Sequence, residues 1–170
     1  MPHKSIITLA SICFASIAAA GTSVPSKAMR GFAEHCFSPY LTAEKATTRL
    51  GMTGVRLEFY DLDPFSSAAP SPVTGRAAKV GTDRRCEVAF DGDHAAQAAK
   101  TAVDALTSQG IVTPAALPSS FQSTKGTEIL AARQLNPKRI AVVHVGIRKG
   151  PGGIETFMTV ERLLPSELKD

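Results

Sequence analysis

Apolar residues recur along this chain with two different periods, and the switches between them mark out its elements. Met29, Phe32, Ala33 and Cys36 return at helical spacing, with Arg30 and Glu34 on the opposite side. The stripe predicts a helix from about Ser26, its N-cap, to Phe37, stopped by Ser38-Pro39 and presenting Cys36 to the core. Thr42 then caps a short second helix through Leu50, ended by Gly51. From Val55 to Tyr60 apolar and polar residues alternate, which is the period of a half-buried strand. The stretch from Asp61 to Gly75 carries Pro64, Pro70 and Pro72 among serines and alanines and reads as a loop.

Alternation returns at about Arg85 to Phe90, with Cys86, Val88 and Phe90 on one face and Arg85, Glu87 and Ala89 on the other. Asp91-Gly92-Asp93 forms a turn whose last carboxylate caps a helix from about His94 to Ser108. Its buried side is read as Ala95, Ala98, Ala99, Ala102, Val103 and Leu106, small enough for close packing on a sheet. Gly110 ends this helix, and Pro114 and Pro118 keep the next segment irregular. Three strands follow, Thr127 to Leu135, Arg139 to Arg148 and Ile154 to Arg162, joined at Asn136-Pro137 and at Gly150-Pro151-Gly152-Gly153. The middle one is apolar on both faces, with Ala141, Val143 and Val145 opposite Ile140 and Val142, so it belongs inside the sheet. The expected fold is α+β: an antiparallel sheet of about five strands, with N-terminal helices and one alanine-rich crossover helix packed on it.

The chain also opens with an address. Lys4 precedes an uncharged apolar run from Ser5 to Ile17, and Ala18-Ala19-Ala20 then stand before Gly21, the three-part pattern of a signal peptide cleaved after Ala20. The run falls short of the ~20 residues that span a bilayer, so no anchor is expected after cleavage. Residues 21–170 are then one exported α+β domain, periplasmic or secreted. Of 19 basic and 15 acidic residues, loss of Lys4 leaves 18 and 15. That excess is too small to imply nucleic acid. The pairs Arg84-Arg85, Lys138-Arg139 and Arg148-Lys149 read as solvated strand ends.

Cys13 lies in the apolar run and leaves with it, so Cys36 and Cys86 remain. In an oxidising compartment such a pair in a small domain is expected to be bridged. His35 beside Cys36 does not make a nucleophilic pair, because adjacent helical side chains point about 100° apart. There is no Cys-x-x-Cys, and neither zinc-ligand spacing nor a calcium loop is present, so no metal and no cofactor is expected. The glycines at 150–153 lead into a strand rather than a helix, unlike a phosphate cradle.

Candidate catalytic residues are few. His144 sits between Val143 and Val145, where burial would hold it neutral, and Tyr60 and Asp61, with Asp63 beyond, stand at a strand end. A short exported chain with a cysteine on its first helix, an Arg84-Arg85-Cys86-Glu87-Val88 strand and an alanine-rich helix resembles the small uncharacterised exported proteins of bacteria. That resemblance brings no activity with it. Two functional readings follow: a non-catalytic domain binding a small molecule or a protein partner, or a small hydrolytic or transfer enzyme using His144 with a nearby carboxylate or hydroxyl.

Overall fold

The computed structural model describes residues 23–163 except residue 66. The expected leader, Cys13 and the polar C-terminal end lie outside the described residues. Within them the order is α1 (Val24–Gly31), a π-helical turn (Phe32–Cys36), α2 (Ala43–Leu50), β1 (Val55–Asp61), β2 (Thr82–Asp91), α3 (Ala95–Ser108), β3 (Pro114–Ala115), β4 (Thr127–Asn136), β5 (Arg139–Gly150) and β6 (Gly153–Leu163). The strands form one six-stranded sheet in the order β1-β2-β6-β5-β4-β3, with every neighbouring pair antiparallel. The expected α+β class holds, with one strand added: β3 is a two-residue pairing of Pro114 and Ala115 with Arg133 and Ala132. Among the described residues no helix is long and apolar enough to cross a membrane.

Local chemistry sets the helix ends. The cap of α1 is Ser23, whose hydroxyl accepts from Ser26 N–H, and not Ser26 as the pattern implied. Pro25 explains the shift, since it lacks an N–H and is preorganised for a first helical turn. The following π-helical turn widens the spiral, so the buried side runs Ala28, Met29, Phe32, Cys36 and leaves Ala33 half-exposed. Thr42 caps α2 by accepting from Lys45 N–H at 3.3 Å, and Gly51 ends it. In α3 the buried residues are Ala95, Ala98, Ala102, Ala105 and Leu106, while Val103, expected inside, is exposed. Asp93 accepts from Ala95 N–H at 3.3 Å, and the helix begins one residue after His94.

The helices cover one face of the sheet. There Cys86, Val88, Phe90, Ala141, Val143, Val145 and Met158 pack with Met29, Phe32, Leu50, Ala98, Ala102 and Leu106 in the larger apolar cluster. Cys36 and Cys86 are joined by a disulfide with their Cα atoms 5.4 Å apart, tying the end of the π-helical turn to β2. Cys36 is 3% and Cys86 0% exposed, so the bridge lies within the core.

The second face is not the solvated surface that alternation suggested. Arg85, Glu87, Glu155, Thr159 and Glu161 are all buried on it. The loop between β1 and β2 folds back over part of this face, sending Arg76 to Glu58 and Glu87 and Lys79 to Glu161, while Glu155 is held by Arg56 and Arg148. Gly75 permits the crossing, because it has φ +73° and any Cβ there would collide with the Glu58 carboxyl group. Toward β4 the same face turns apolar, with Phe121 over Ala132, Ile140, Val142 and Leu163.

Candidate functional site

A cavity of about 610 Å³ opens on the helix-bearing side at the end of the sheet where β1 leaves and β5 enters. Six separate stretches of chain build its wall. The exit of the π-helical turn supplies Cys36, Phe37 and Pro39, and the β1–β2 loop supplies Asp63, Pro64 and Phe65. Gln109 and Ile111 come from beyond α3, and Leu135, Asn136 and Arg139 from the β4–β5 hairpin. The sheet contributes Arg84, Ala141, Val160 and Arg162.

Strand register brings the arginines together. Arg84 of β2 pairs directly across from Arg162 of β6, which is next to Ala141 of β5, while Asp61 of β1 lies on the other side of Arg84. Two like charges facing one another destabilise a sheet unless counter-charges intervene. A register shift between Thr82 and Arg84 supplies one, because it leaves Asp83 out of the pairing. The Asp83 carboxylate accepts from Arg162 Nε at 2.9 Å and from Arg139. Arg162 also donates to Asp61 at 2.9 Å and to the Asp63 carbonyl at 2.6 Å, and Arg139 bonds the Asp63 carboxylate.

The three guanidiniums are therefore not equivalent. Burial works against the charge of Arg162, but Asp83, Asp61 and Asp63 outweigh it and hold its pKa above the ordinary value. Arg84 is less well served. It donates to the Ser38 carbonyl at 2.7 Å and stands 3.6 Å from the Asp61 carboxylate, while its buried Nε has no hydrogen-bond partner. Burial, only partly offset by Asp61, lowers its pKa to about 10. Burial likewise raises the Asp61 carboxyl against the pull of Arg162 and Arg84.

Phe37, Phe65, Ile111 and Leu135 form the apolar part of the wall, beside Gln109 and Asn136, and Phe65 also touches the ring of Tyr40. Tyr40 and Phe65, 57% and 70% exposed, meet edge to face with centroids 5.6 Å apart.

The residues singled out from the sequence are not brought together. Asp61 belongs to the charged end of the cavity, but Tyr60 points to the opposite face, fully buried beneath Arg85, whose guanidinium lies 5.2 Å from the ring centre. Burial, opposed by Arg85, pushes the Tyr60 hydroxyl up to about 12. His144 is also on that second face, with three strand steps between β1 and β5. Its Nε2 meets the Thr127 hydroxyl at 2.9 Å and its ring sits edge-on to Phe157. Burial, with Lys79, Arg76 and Arg148 adding to it, lowers the pKa of His144 to about 4, so the ring is neutral at physiological pH.

Of the basic pairs, Lys138 and Lys149 are exposed, as solvated strand ends should be, and the four arginines are not free. Arg84 and Arg85 are buried, and Arg139 and Arg148 are held in ion pairs. Sequence reasoning missed Arg84, Arg139 and Arg162 as neighbours. Only the cluster of acidic residues near two strand ends, Asp61, Asp63 and Asp83, hinted that basic partners would be needed there. Among the described residues no group of three His, Cys, Asp or Glu side chains is placed to hold a metal ion. The chain matches no protein-family model, no curated protein and no solved structure.

Proposed function

We propose that this protein is a non-catalytic exported domain, working in the periplasm or outside the cell, that binds a small organic molecule in the cavity at the disulfide end of the sheet. The observation that carries this reading is the cavity itself. Its volume of about 610 Å³ falls within the roughly 300–1,000 Å³ of small-molecule sites, and it combines apolar walls with a few convergent polar groups. The wall is held by the sheet, the Cys36–Cys86 bridge and the arginine–aspartate lattice, so little ordering is left for a ligand to impose. The buried disulfide suits an oxidising compartment.

The test is a thermal-shift and native mass-spectrometry screen of residues 21–170 against a library of small metabolite-like compounds at millimolar concentration. At least one chemical class should raise the melting temperature; a ligand at 100 times its Kd adds about 2.7 kcal/mol. Leu135→Trp, which places a large ring in the wall, should abolish the shift without lowering the unliganded melting temperature by more than a few degrees. A library that leaves the melting temperature unchanged throughout overturns the reading.

A second reading, an enzyme using His144, draws on the 2.9 Å contact between its ring and the Thr127 hydroxyl. The same hydroxyl accepts from Thr124 N–H at 2.9 Å, so the contact also ties the 124–127 turn to β5. Turnover of activated esters that disappears in both His144→Gln and Thr127→Val would favour catalysis over binding.

A further inference from the structure

We propose that the cavity takes an uncharged molecule with an apolar body and an amide-type group, one that offers both a hydrogen-bond donor and an acceptor. The inference deepens the small-molecule reading and rests on it. Its first support is that every charged side chain of the wall already has a partner. Arg139 binds the Asp63 and Asp83 carboxylates, and Arg162 binds Asp61, Asp83 and the Asp63 carbonyl. Arg84 is taken by the Ser38 carbonyl and the Asp61 carboxylate, and its one unmet donor, Nε, is buried rather than open to the cavity. Three guanidiniums thus stand against three carboxylates, with no charge left over. A charged ligand would have to draw one member out of its pair and leave the other without it, which is the costly way to break a buried ion pair. Taking the ligand's own charge out of water adds to that cost.

Two side chains of the wall supply polarity without charge. Gln109 donates from Nε2 to the Ala33 carbonyl at 3.2 Å, and the Asn136 Oδ1 accepts from Lys138 N–H at 2.9 Å. Those bonds decide which end of each amide is free: Gln109 keeps its Oε1 as an acceptor and Asn136 its Nδ2 as a donor, neither of them bonded among the described residues. Both side chains are exposed, so a ligand that bonds them replaces water and gains selectivity more than affinity. A primary amide or a lactam offers the matching N–H and C=O and adds no charge. The apolar body follows from Phe37, Phe65, Ile111 and Leu135, which form the rest of this part of the wall.

Titration calorimetry on residues 21–170 separates the parts of the claim with probes that share one apolar body: 2-naphthylacetamide, methyl 2-naphthylacetate, 2-naphthylacetate and 2-(2-naphthyl)ethylammonium. The amide should bind about tenfold more tightly than the acid and the ammonium. It should bind about threefold more tightly than the ester, which lacks the N–H. Gln109→Leu should bring amide and ester level while both stay ahead of the charged probes. Asp63→Asn, at a side chain 60% exposed, removes one carboxylate and leaves a guanidinium charge in excess. The acid should then gain about fivefold while the amide is little changed. Tighter binding of the acid or the ammonium to the wild type, or an Asp63→Asn variant in which the acid gains nothing, overturns the proposal. An amide-to-ester preference that survives Gln109→Leu overturns the polar contact assigned to that residue. If library compounds bind and the naphthyl amide does not, the proposal falls while the small-molecule reading stands; if nothing binds, both fall.

Discussion

Both faces of this sheet carry buried side chains, and they are held by different physics. The helix-bearing face is covered by Met29, Phe32, Leu50 and the alanines of α3, and it is stabilised by apolar area removed from water plus one covalent bridge. The other face hides Arg85, Glu87 and Glu161 beneath a proline-bearing loop and Glu155 between Arg56 and Arg148, and ion pairs and hydrogen bonds there offset the loss of hydration. Close packing on the first face tolerates apolar exchange of similar volume. A charge network on the second does not tolerate loss of one member, because the remaining partners stay buried. The comparison teaches that burial by itself does not say what a residue contributes. The cavity lies where the helix face gives way to charge, at Arg84 and Arg162, and so draws on both kinds of wall.

The largest break on the helix face is the bridge. Replacing Cys36 and Cys86 together by serine opens a loop of 50 residues, and the chain-entropy relation puts the loss at about 4 kcal/mol. Urea denaturation of the double variant and of the reduced wild type should agree. A loss below about 1 kcal/mol would mean that the unfolded chain is already constrained without the bond. Since Cys36 lines the cavity, the same variant should also lose any ligand-induced thermal shift.

The matching break on the other face is Glu87→Ala. Glu87 accepts from Thr159 at 2.6 Å, pairs with Arg148 at 2.7 Å and also binds Arg76. Removing it leaves those partners without their shared carboxylate, at a cost of roughly 3 kcal/mol. Glu87→Gln, which retains an acceptor for Thr159, should cost less. Equal effects of the two substitutions would show that packing, rather than charge, holds this face.

These two faces were unequally legible from the chain. The helix face was largely readable, because a period of 3.6 in the helices and of 2 in the strands is imposed by burial on one side; hence the positions of Thr42, Gly51, Cys86, Val88 and Phe90 follow from pattern. The π-helical turn at Phe32–Cys36 shifted the first helix's stripe, since one widened turn breaks the 3.6-residue count on which the reading relies. The charged face was misread because alternation separates apolar from polar residues and cannot say whether the polar side meets water or a loop. The prolines at 64, 70 and 72 marked that loop, but nothing in its composition said that it folds back. The cavity was least legible: Arg84, Arg139 and Arg162 converge only through the register of β2, β6 and β5, a long-range property set by pairing partners far apart in the chain.

Acid offers a milder way to separate the faces. His144 has a folded pKa near 4 against 6.5 for the free side chain, so the unfolded chain takes up a proton first as pH falls. Its contribution is complete above pH 6.5 and is lost progressively between 6.5 and about 4. Asp61, whose carboxyl is raised by burial, acts in the opposite direction at the low end. The informative quantity is therefore the difference between wild type and His144→Gln, which should narrow as pH drops through that window. A difference independent of pH would mean that the ring is solvated and that the second face is wetter than its neighbours indicate.

The smallest effect concerns how the loop is fastened to the sheet. Thr74 runs beside the outer edge of β1, its hydroxyl accepting from Phe59 N–H at 3.0 Å and donating to the Phe59 carbonyl at 2.8 Å. Ser71 repeats the arrangement at Asp61, accepting from its N–H at 2.7 Å. These contacts satisfy an edge that would otherwise be open to another chain, and they anchor the segment that carries Arg76 across the charged face. Thr74→Val keeps shape and volume while removing both bonds, and it should lower stability by about 1 kcal/mol. The distinguishing measurement is amide hydrogen exchange: Phe59 N–H should exchange faster in the variant while Val143, buried on the helix face, is unaffected. Unchanged exchange at Phe59 would show that the edge is guarded by packing of the loop, and that the second face depends less on directed hydrogen bonds than its charge pattern implies.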